Sequence, residues 1–174
     1  MTDISIRPAE PGDLPAITAI YDEAVRHGTA SFELDPPDVA EMGRRMQNLL
    51  DNGYPYLVAL RAGEMAGYAY AGPYRLRPAF RFAVEDSIYV ATKMRRSGIG
   101  RLLLNALITA CEQRGYRQMI SVIGDSTNLA SIELHRHGGF QPVGTFKNVG
   151  YKFERWLDSV MMQRVLGDGA GSAP

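Results

Sequence analysis

The stretch from Lys93 to Tyr116, KMRRSGIGRLLLNALITACEQRGY, places three cationic side chains and two glycines directly before a long segment with an apolar stripe. Apolar residues recur at helical spacing from Ile99 to Cys111, which predicts an amphipathic helix. A helix N-terminus already carries partial positive charge, so additional cations there need a reason. They indicate either a solvated helix entry or an anion site, since glycines let backbone N–H groups approach a bound anion closely.

On both sides of this helix, strand-like and helical segments follow one another along the chain. Before it we predict strands over 5–9, 56–60, 65–72 and 84–90, and helices over 11–28 and 38–53 with Asp13 and Asp38 as N-caps. After it we predict strands over 118–124, 140–146 and 155–165, and a short helix over 128–139. Strands alternate with helices only in the second half, which predicts a mixed sheet rather than an all-parallel one.

Length and composition narrow the class of protein. The 174 residues, 45% hydrophobic and 22% charged, predict one domain over 1–166 followed by a disordered tail over 167–174. The net charge of zero argues against a nucleic-acid partner. The one cysteine excludes an intrachain disulfide and a multi-cysteine metal site, and we expect no metal. Without a signal-peptide pattern or a membrane-length apolar window, we expect a cytoplasmic protein with no membrane partner.

The glycine pattern of the loop excludes two familiar nucleotide sites. A phosphate-binding loop of nucleotide hydrolases requires Gly-Lys-Ser/Thr, and the dinucleotide fingerprint requires a third glycine. What remains is Arg95-x-x-Gly98-x-Gly100 between a strand and a helix. Arginines in such a loop can form charge-assisted hydrogen bonds with phosphate oxygens. The loop by itself leaves the solvated turn and the anion site equally open.

This loop resembles the central motif of the GNAT family of N-acetyltransferases, in which Arg/Gln-x-x-Gly-x-Gly/Ala holds the pyrophosphate of acetyl-CoA. NLASIELHRHGGF, over 128–140, resembles a second family segment, Asn-x-x-Ala-x-x-Leu-Tyr-x-x-x-Gly-Phe. TASFELDPP, GYAYAGPYRLRPAF, VEDSIYV and GYKFERWLDSVMMQ resemble the phosphinothricin and methionine sulfoximine acetyltransferase branch. The resemblance covers about residues 4–165. It implies an α/β (α+β) fold whose mixed, mostly antiparallel sheet of about seven strands is flanked by about four helices.

The resemblance also implies acetyl-CoA as cosubstrate, held largely by the main chain. The loop residues that would wrap its pyrophosphate are Arg95, Arg96, Ser97, Gly98, Ile99, Gly100 and Arg101. The backbone of Ile88, Tyr89 and Val90 would pair with the pantetheine arm, and the Val90 N–H would donate to the thioester oxygen as an oxyanion hole. Asn128 would contact the pantetheine or phosphate end, or serve as a helix N-cap, and Ser131 belongs to the same predicted coenzyme site.

The catalytic groups are predicted on the strand before the loop and in the short helix. An ammonium acceptor must lose a proton before it attacks the thioester, and Glu85 stands where the branch carries its glutamate base. The alternatives are that Glu85 is a strand-surface charge, or that Asp86 on the opposite face is the base. His135 replaces the tyrosine acid of many family members. It could protonate the departing thiolate, or be a structural histidine.

The acceptor implied by the resemblance is a small amino-acid-like amine. Arg75 and Arg77 could hold its carboxylate or phosphinate, and Phe32, Tyr74 and Phe80 could wall the pocket. The branch is also dimeric, so Tyr151, Lys152 and Trp156 could act across a homodimer, although Trp156 suits a core or interface position. Two alternatives stay open: a different amine (polyamine, aminoglycoside or protein N-terminus), or a non-catalytic acyl-CoA-binding sensor.

Overall fold

Seven strands form one mixed sheet in the computed structural model, which describes residues 4–174. The strands are β1 (Ile4–Pro8), β2 (Tyr56–Arg61), β3 (Glu64–Pro73), β4 (Ala83–Val90), β5 (Gln118–Gly124), β6 (Gln141–Lys152) and β7 (Arg155–Val165). The helices are α1 (Leu14–His27), α2 (Val39–Asp51), α3 (Ile99–Gln113) and α4 (Leu129–His137). Strands lie in the order β1-β2-β3-β4-β5-β7-β6, and among these pairs only β4–β5 is parallel. The predicted fold class is confirmed.

The sheet is covered on both faces, and successive strand residues contribute to different cores. In β3, Ala69 packs with α3, whereas Tyr68 on the opposite face packs with α1 and α2. Leu103 and Leu107 of α3 are fully buried in the first of these cores. Each such leucine gains about 1.5–3 kcal/mol from leaving water. The two cores fix α1/α2 on one face of the sheet and α3 on the other.

The sheet divides at its one parallel pair. Residues Ala83–Asp86 of β4 pair with Gln118–Ser121 of β5, but β4 continues to Val90 and β5 to Gly124 without further pairing. A gap therefore opens between the carboxyl ends of the two strands, and α3 begins beside it. Ligands of open α/β sheets bind in this kind of crevice.

Two local predictions need correction. Asp13 occupies the N-cap position of α1, but its side chain does not cap the helix, because its carboxylate accepts a hydrogen bond from Glu10 N (2.8 Å) and pairs with Arg7 (2.7 Å). It closes a short 3₁₀ turn before the helix instead. The strand predicted over 140–146 continues to Lys152, because pairing with β7 carries it past the end of the apolar pattern. The predicted cap of α2 is confirmed, as Asp38 accepts from Glu41 N at 2.8 Å.

No helix within residues 4–174 has the length and apolar character needed to cross a membrane. In the same part of the chain, no group of three or more His, Cys, Asp or Glu side chains is arranged to hold a metal ion. Residues 167–172 follow β7 in turns, with Asp168 paired to Arg117 at 3.4 Å. The disordered tail and the single domain over 1–166 stay predictions, and residues 1–3 of that domain lie outside the described residues.

Candidate active site

A cleft of about 880 Å³ occupies the gap between β4 and β5. It reaches from the N-terminus of α3 to the segment that follows α1. Most of the predicted site residues line it together: Phe32, Glu85, Ile88, Tyr89, Val90, Arg95, Arg96, Gly98, Ile99, Gly100, Arg101, Asn128, Ser131 and His135. Ser97, Tyr74, Arg75 and Arg77 are not among the lining residues. One cavity therefore contains the predicted catalytic groups and nearly all of the predicted coenzyme groups.

The main chain of β4 presents hydrogen-bonding groups to this cleft. The N–H of Ala91 donates to Ala66 O at 2.9 Å, so it points toward β3. Successive residues of a strand direct their main-chain groups to opposite sides, so those of Val90 and Ile88 point away from β3 and into the gap. Tyr89 directs its own main-chain groups toward β3. Two of the three residues predicted to pair with an extended ligand thus have free backbone groups on the correct side.

The loop before α3 forms the positively charged end of the cleft. Gly98 has φ of 84°, the left-handed region that glycine favours, and no side chain caps the helix that it begins. The first N–H groups of α3 therefore remain available to an anion. Within the described chain, Arg95, Arg96 and Arg101 form no ion pair with a carboxylate. Their charge is free for a ligand.

Asn128 and Ser131 lie at the start of α4, on the opposite side of the gap from β4. The side chain of Asn128 accepts a hydrogen bond from Ser131 N at 3.3 Å, so the N-cap prediction is confirmed. Both residues also line the cleft. The cap holds the first turn of α4 at the cavity edge, and a ligand contact by Asn128 stays a prediction.

Glu85 projects from the face of β4 that carries α1 and α2. Its neighbours Val84 and Asp86 are buried on the other face, where Val84 packs in the α3 core. Burial raises the pKa of the Glu85 carboxyl to about 7, and the charge of Asp86 adds to the effect. A carboxyl with a pKa close to neutrality, facing a cleft, has the properties of a general base.

Asp86 and His135 form a buried pair beneath the cleft. His135 Nε2 lies 2.9 Å from Asp86 Oδ2, and Nδ1 donates to Ser131 O at 2.7 Å. Burial alone would lower the pKa of His135, but the hydrogen bond to Asp86 and its charge outweigh burial and raise it. The second oxygen of Asp86, Oδ1, is buried without a partner among the described residues. Asp86 therefore faces the histidine rather than the side of the sheet where Glu85 lies.

The wall on the α1/α2 side was largely missed by sequence analysis. It consists of the segment Gly28–Phe32, which we call the strap, together with Tyr70, Ser87 and Tyr89. Tyr70 stands opposite Ser87 in the register of β3 and β4. Strand periodicity places Ser87 on the same face of β4 as Glu85. That alternation could have indicated from the sequence that Ser87 and its partner Tyr70 border the site. Within the strap, the sequence offered Phe32 and the resemblance of TASFELDPP, which begins at Thr29.

The predicted acceptor arginines lie outside the cleft. Arg75 and Arg77 are exposed on the loop between β3 and β4. The Arg75 guanidinium stacks over the Tyr74 ring at 5.2 Å and the Phe80 ring at 5.8 Å. These side chains pack with one another, so a role at the acceptor stays a prediction.

The end of the β6–β7 hairpin combines one buried cation with exposed aromatic rings. Lys152 is 3% exposed, whereas Tyr151 and Trp156 are mostly exposed and pack edge to face at 5.1 Å. Trp156 is therefore not in the core of this chain, and its alternative place at an interface stays a prediction.

Comparisons with known proteins agree with this geometry. Residues 6–161 match the family described as acetyltransferase (GNAT) domain. Phosphinothricin N-acetyltransferase of Alcaligenes faecalis is 52% identical, over 98% of this chain and 86% of that protein. The L-methionine sulfoximine/L-methionine sulfone acetyltransferase of Pseudomonas aeruginosa is 44% identical, over 98% of each chain. The crystal structure of a Sinorhizobium meliloti phosphinothricin acetyltransferase in complex with AcCoA has a TM-score of 0.96 and 47% identity, covering 100% of this chain and 94% of that one.

Proposed function

This chain belongs to the GNAT family and is an acetyl-CoA-dependent N-acetyltransferase, and from that premise we propose that it acetylates the α-amino group of a small amino-acid-like compound. The relatives named for phosphinothricin and for methionine sulfoximine or sulfone support this acceptor class. The observation that carries the proposal is the position of Glu85, a carboxyl with a pKa of about 7 beside the free main chain of β4.

Acetyl-CoA fits the cleft as the donor. The free N–H groups at the start of α3 and the unpaired guanidiniums of Arg95 and Arg96 would hold its pyrophosphate. The main-chain groups of Ile88 and Val90 that face the gap would form hydrogen bonds with the pantetheine arm, as they would with a neighbouring strand. Asn128 and Ser131 would border the same arm from α4.

In the proposed reaction, Glu85 accepts a proton from the acceptor ammonium, directly or through water. The amine lone pair then attacks the thioester carbon, a C–N bond forms, and the developing oxyanion accepts a hydrogen bond from Val90 N–H. The C–S bond breaks, the coenzyme leaves as a thiolate, and the nitrogen releases its second proton to water as the amide forms. A thiol with a pKa of about 8.5 leaves readily, so protonation by His135 or by water adds little to the rate.

We also propose a cytoplasmic homodimer. Phe146, Val149, Tyr151, Phe153 and Trp156 leave a large apolar surface on the β6–β7 hairpin, each at least 49% exposed in the single chain. A second copy packed on this hairpin would cover that surface beside the strap. Light scattering should give about twice the chain mass of 19.2 kDa, and a monomer at micromolar concentration would exclude the dimer. Cell fractionation tests the compartment.

The function is tested by release of free thiol from acetyl-CoA in the presence of a panel of amines. Methionine sulfoximine, methionine sulfone and phosphinothricin should be acetylated. Preference for a polyamine, an aminoglycoside or a peptide N-terminus would instead support a different acceptor. The acyl-CoA sensor would be supported only if coenzyme A binds and no amine in the panel is acetylated.

A further inference from the structure

Lys152 is a buried cation whose hydrogen-bond partners are main-chain carbonyls rather than carboxylates. Its Nζ donates to Gly28 O at 3.0 Å and to Ser31 O at 2.9 Å, and lies 5.0 Å from the centre of the Phe153 ring. Burial lowers the pKa of this lysine. Taking an ammonium group out of water is costly, so an apolar residue would serve stability alone at least as well. The position of Lys152 therefore requires a reason besides packing.

Both carbonyls belong to the strap, which borders the cleft along its whole length. The strap is wedged between two strands. A Cβ at Gly124 of β5 would collide with Thr29 O, and one at Gly150 of β6 would overlap the Phe32 ring. On the inner side, the Tyr21 hydroxyl lies 2.9 Å from Ser31 Oγ. Lys152 is the contact that connects the strap to the hairpin by charge-assisted hydrogen bonds.

The strap follows α1, on the face of the sheet where Glu85 projects, whereas the coenzyme loop begins α3 on the other face. A change in the strap should therefore alter the acceptor side of the cleft and leave the coenzyme side intact. We propose that Lys152 is a positioning residue that holds the strap as the wall of the acceptor pocket, and so sets the affinity for the acceptor. This inference rests on the proposed function, since it assumes that the acceptor binds on the side of Glu85.

The test compares Lys152→Met with Lys147→Met. Lys147 lies on the same strand, but it is exposed and pairs with Asp158 at 2.9 Å away from the strap. With the best acceptor of the amine panel, Lys152→Met should raise the acceptor KM about tenfold or more. The coenzyme A dissociation constant should stay within about twofold of wild type, and Lys147→Met should change neither quantity. Hydrogen exchange over residues 28–32 should become faster in Lys152→Met alone.

An acceptor KM in Lys152→Met equal to that of Lys147→Met, or a loss of coenzyme affinity as large as the loss of acceptor affinity, would overturn the positioning role. If Lys152→Met does not melt cooperatively, Lys152→Gln carries the same test, because it retains an N–H donor; an acceptor KM raised at least about threefold is expected. If wild type acetylates no amine, the proposed function fails by itself. The exchange measurement then still decides whether Lys152 holds the strap.

Discussion

At the scale of single residues, the environment of Glu85 predicts how activity depends on pH. As the proposed base, Glu85 must be deprotonated to accept a proton, and burial together with the charge of Asp86 holds its pKa at about 7. The kcat/KM should therefore rise about tenfold per pH unit below pH 7 and level off above it, until the acceptor amine itself titrates. In Glu85→Gln, the rise of kcat/KM below pH 7 should disappear and turnover should fall by about two to four decades. The coenzyme dissociation constant should stay almost unchanged.

The matched control for that experiment is Glu133→Gln, an exposed carboxylate on α4 that pairs with Arg136. It should reproduce the wild-type pH profile. Steady-state rates between pH 5.5 and 9, with coenzyme binding measured by calorimetry, provide the comparison. Turnover of Glu85→Gln equal to that of the control would remove Glu85 from the mechanism.

Residue-level prediction from sequence succeeded where a local pattern carried the information. The cap at Asn128 and the burial of Cys111 follow from helix periodicity and capping chemistry, and both are present. The contact between Lys152 and the strap could not be found in this way, since it joins residues 124 positions apart. Its partners are carbonyl groups, which every residue carries and no side-chain motif reports.

At the scale of elements, the β6–β7 turn contains backbone strain that can be relieved. Phe153 and Glu154 join the paired residues Lys152 and Arg155, and both have positive φ, 54° and 57°. A two-residue turn of this kind is normally Asn-Gly, because a Cβ in the left-handed region costs about 1 kcal/mol or more. Glu154→Gly should therefore raise the free energy of unfolding by about 0.5–1 kcal/mol. This value already subtracts the conformational entropy that glycine adds to the unfolded chain.

Thermal or urea unfolding measures this effect. Lys147→Gly, at a strand position without positive φ, is the control and should destabilise. Glu154 is exposed and does not line the cleft, so activity should not change. A lower unfolding midpoint for Glu154→Gly would contradict the strain argument.

The loop before α3 is the second element that makes a prediction. Replacing both Arg95 and Arg96 by alanine removes two exposed guanidiniums that no carboxylate of the described chain engages. Coenzyme A should then bind about ten- to hundredfold more weakly, with a smaller dependence on salt, because charge-assisted contacts to phosphate are lost. Arg26→Ala, an exposed arginine in the last turn of α1 that pairs with Asp22 and does not line the cleft, is the control. An unaltered dissociation constant would contradict the pyrophosphate assignment.

All eleven helices and strands expected from the sequence are present in the predicted order. Periodicity was sufficient for most of them, because they bury a face that recurs along their own sequence. β6 differs, since it is exposed along almost its whole length and only Lys152 at its end is buried. The ends of elements were less predictable where another part of the chain competes. Asp13 carries the chemistry of a cap, but Arg7 from β1 binds its carboxylate.

At the scale of the whole molecule, the gap between β4 and β5 opens toward both faces of the sheet. The loop of residues 95–101, which leads into α3, borders the gap on one side, and the strap, which follows α1, borders it on the other. We therefore propose that the donor and the acceptor bind at the same time and meet beside Glu85 and Val90. Sequence patterns predicted a mixed sheet, but how far β4 and β5 stay paired depends on the packing around them, which local patterns do not encode.

This arrangement predicts direct transfer without an acetyl-enzyme. The sequence contains one cysteine, Cys111, which is fully buried in α3, where burial raises the pKa of its thiol to about 12. A thiol in that position cannot attack a thioester in the cleft.

Steady-state kinetics test direct transfer. In double-reciprocal plots of initial rate against acetyl-CoA at several acceptor concentrations, the lines should intersect, and labelled coenzyme A should not exchange into acetyl-CoA unless acceptor is present. Cys111→Ala should retain the wild-type kcat per folded molecule, although the cavity lowers its melting temperature. Parallel lines, together with labelled acetyl groups that remain on the denatured protein, would show a covalent intermediate and exclude direct transfer.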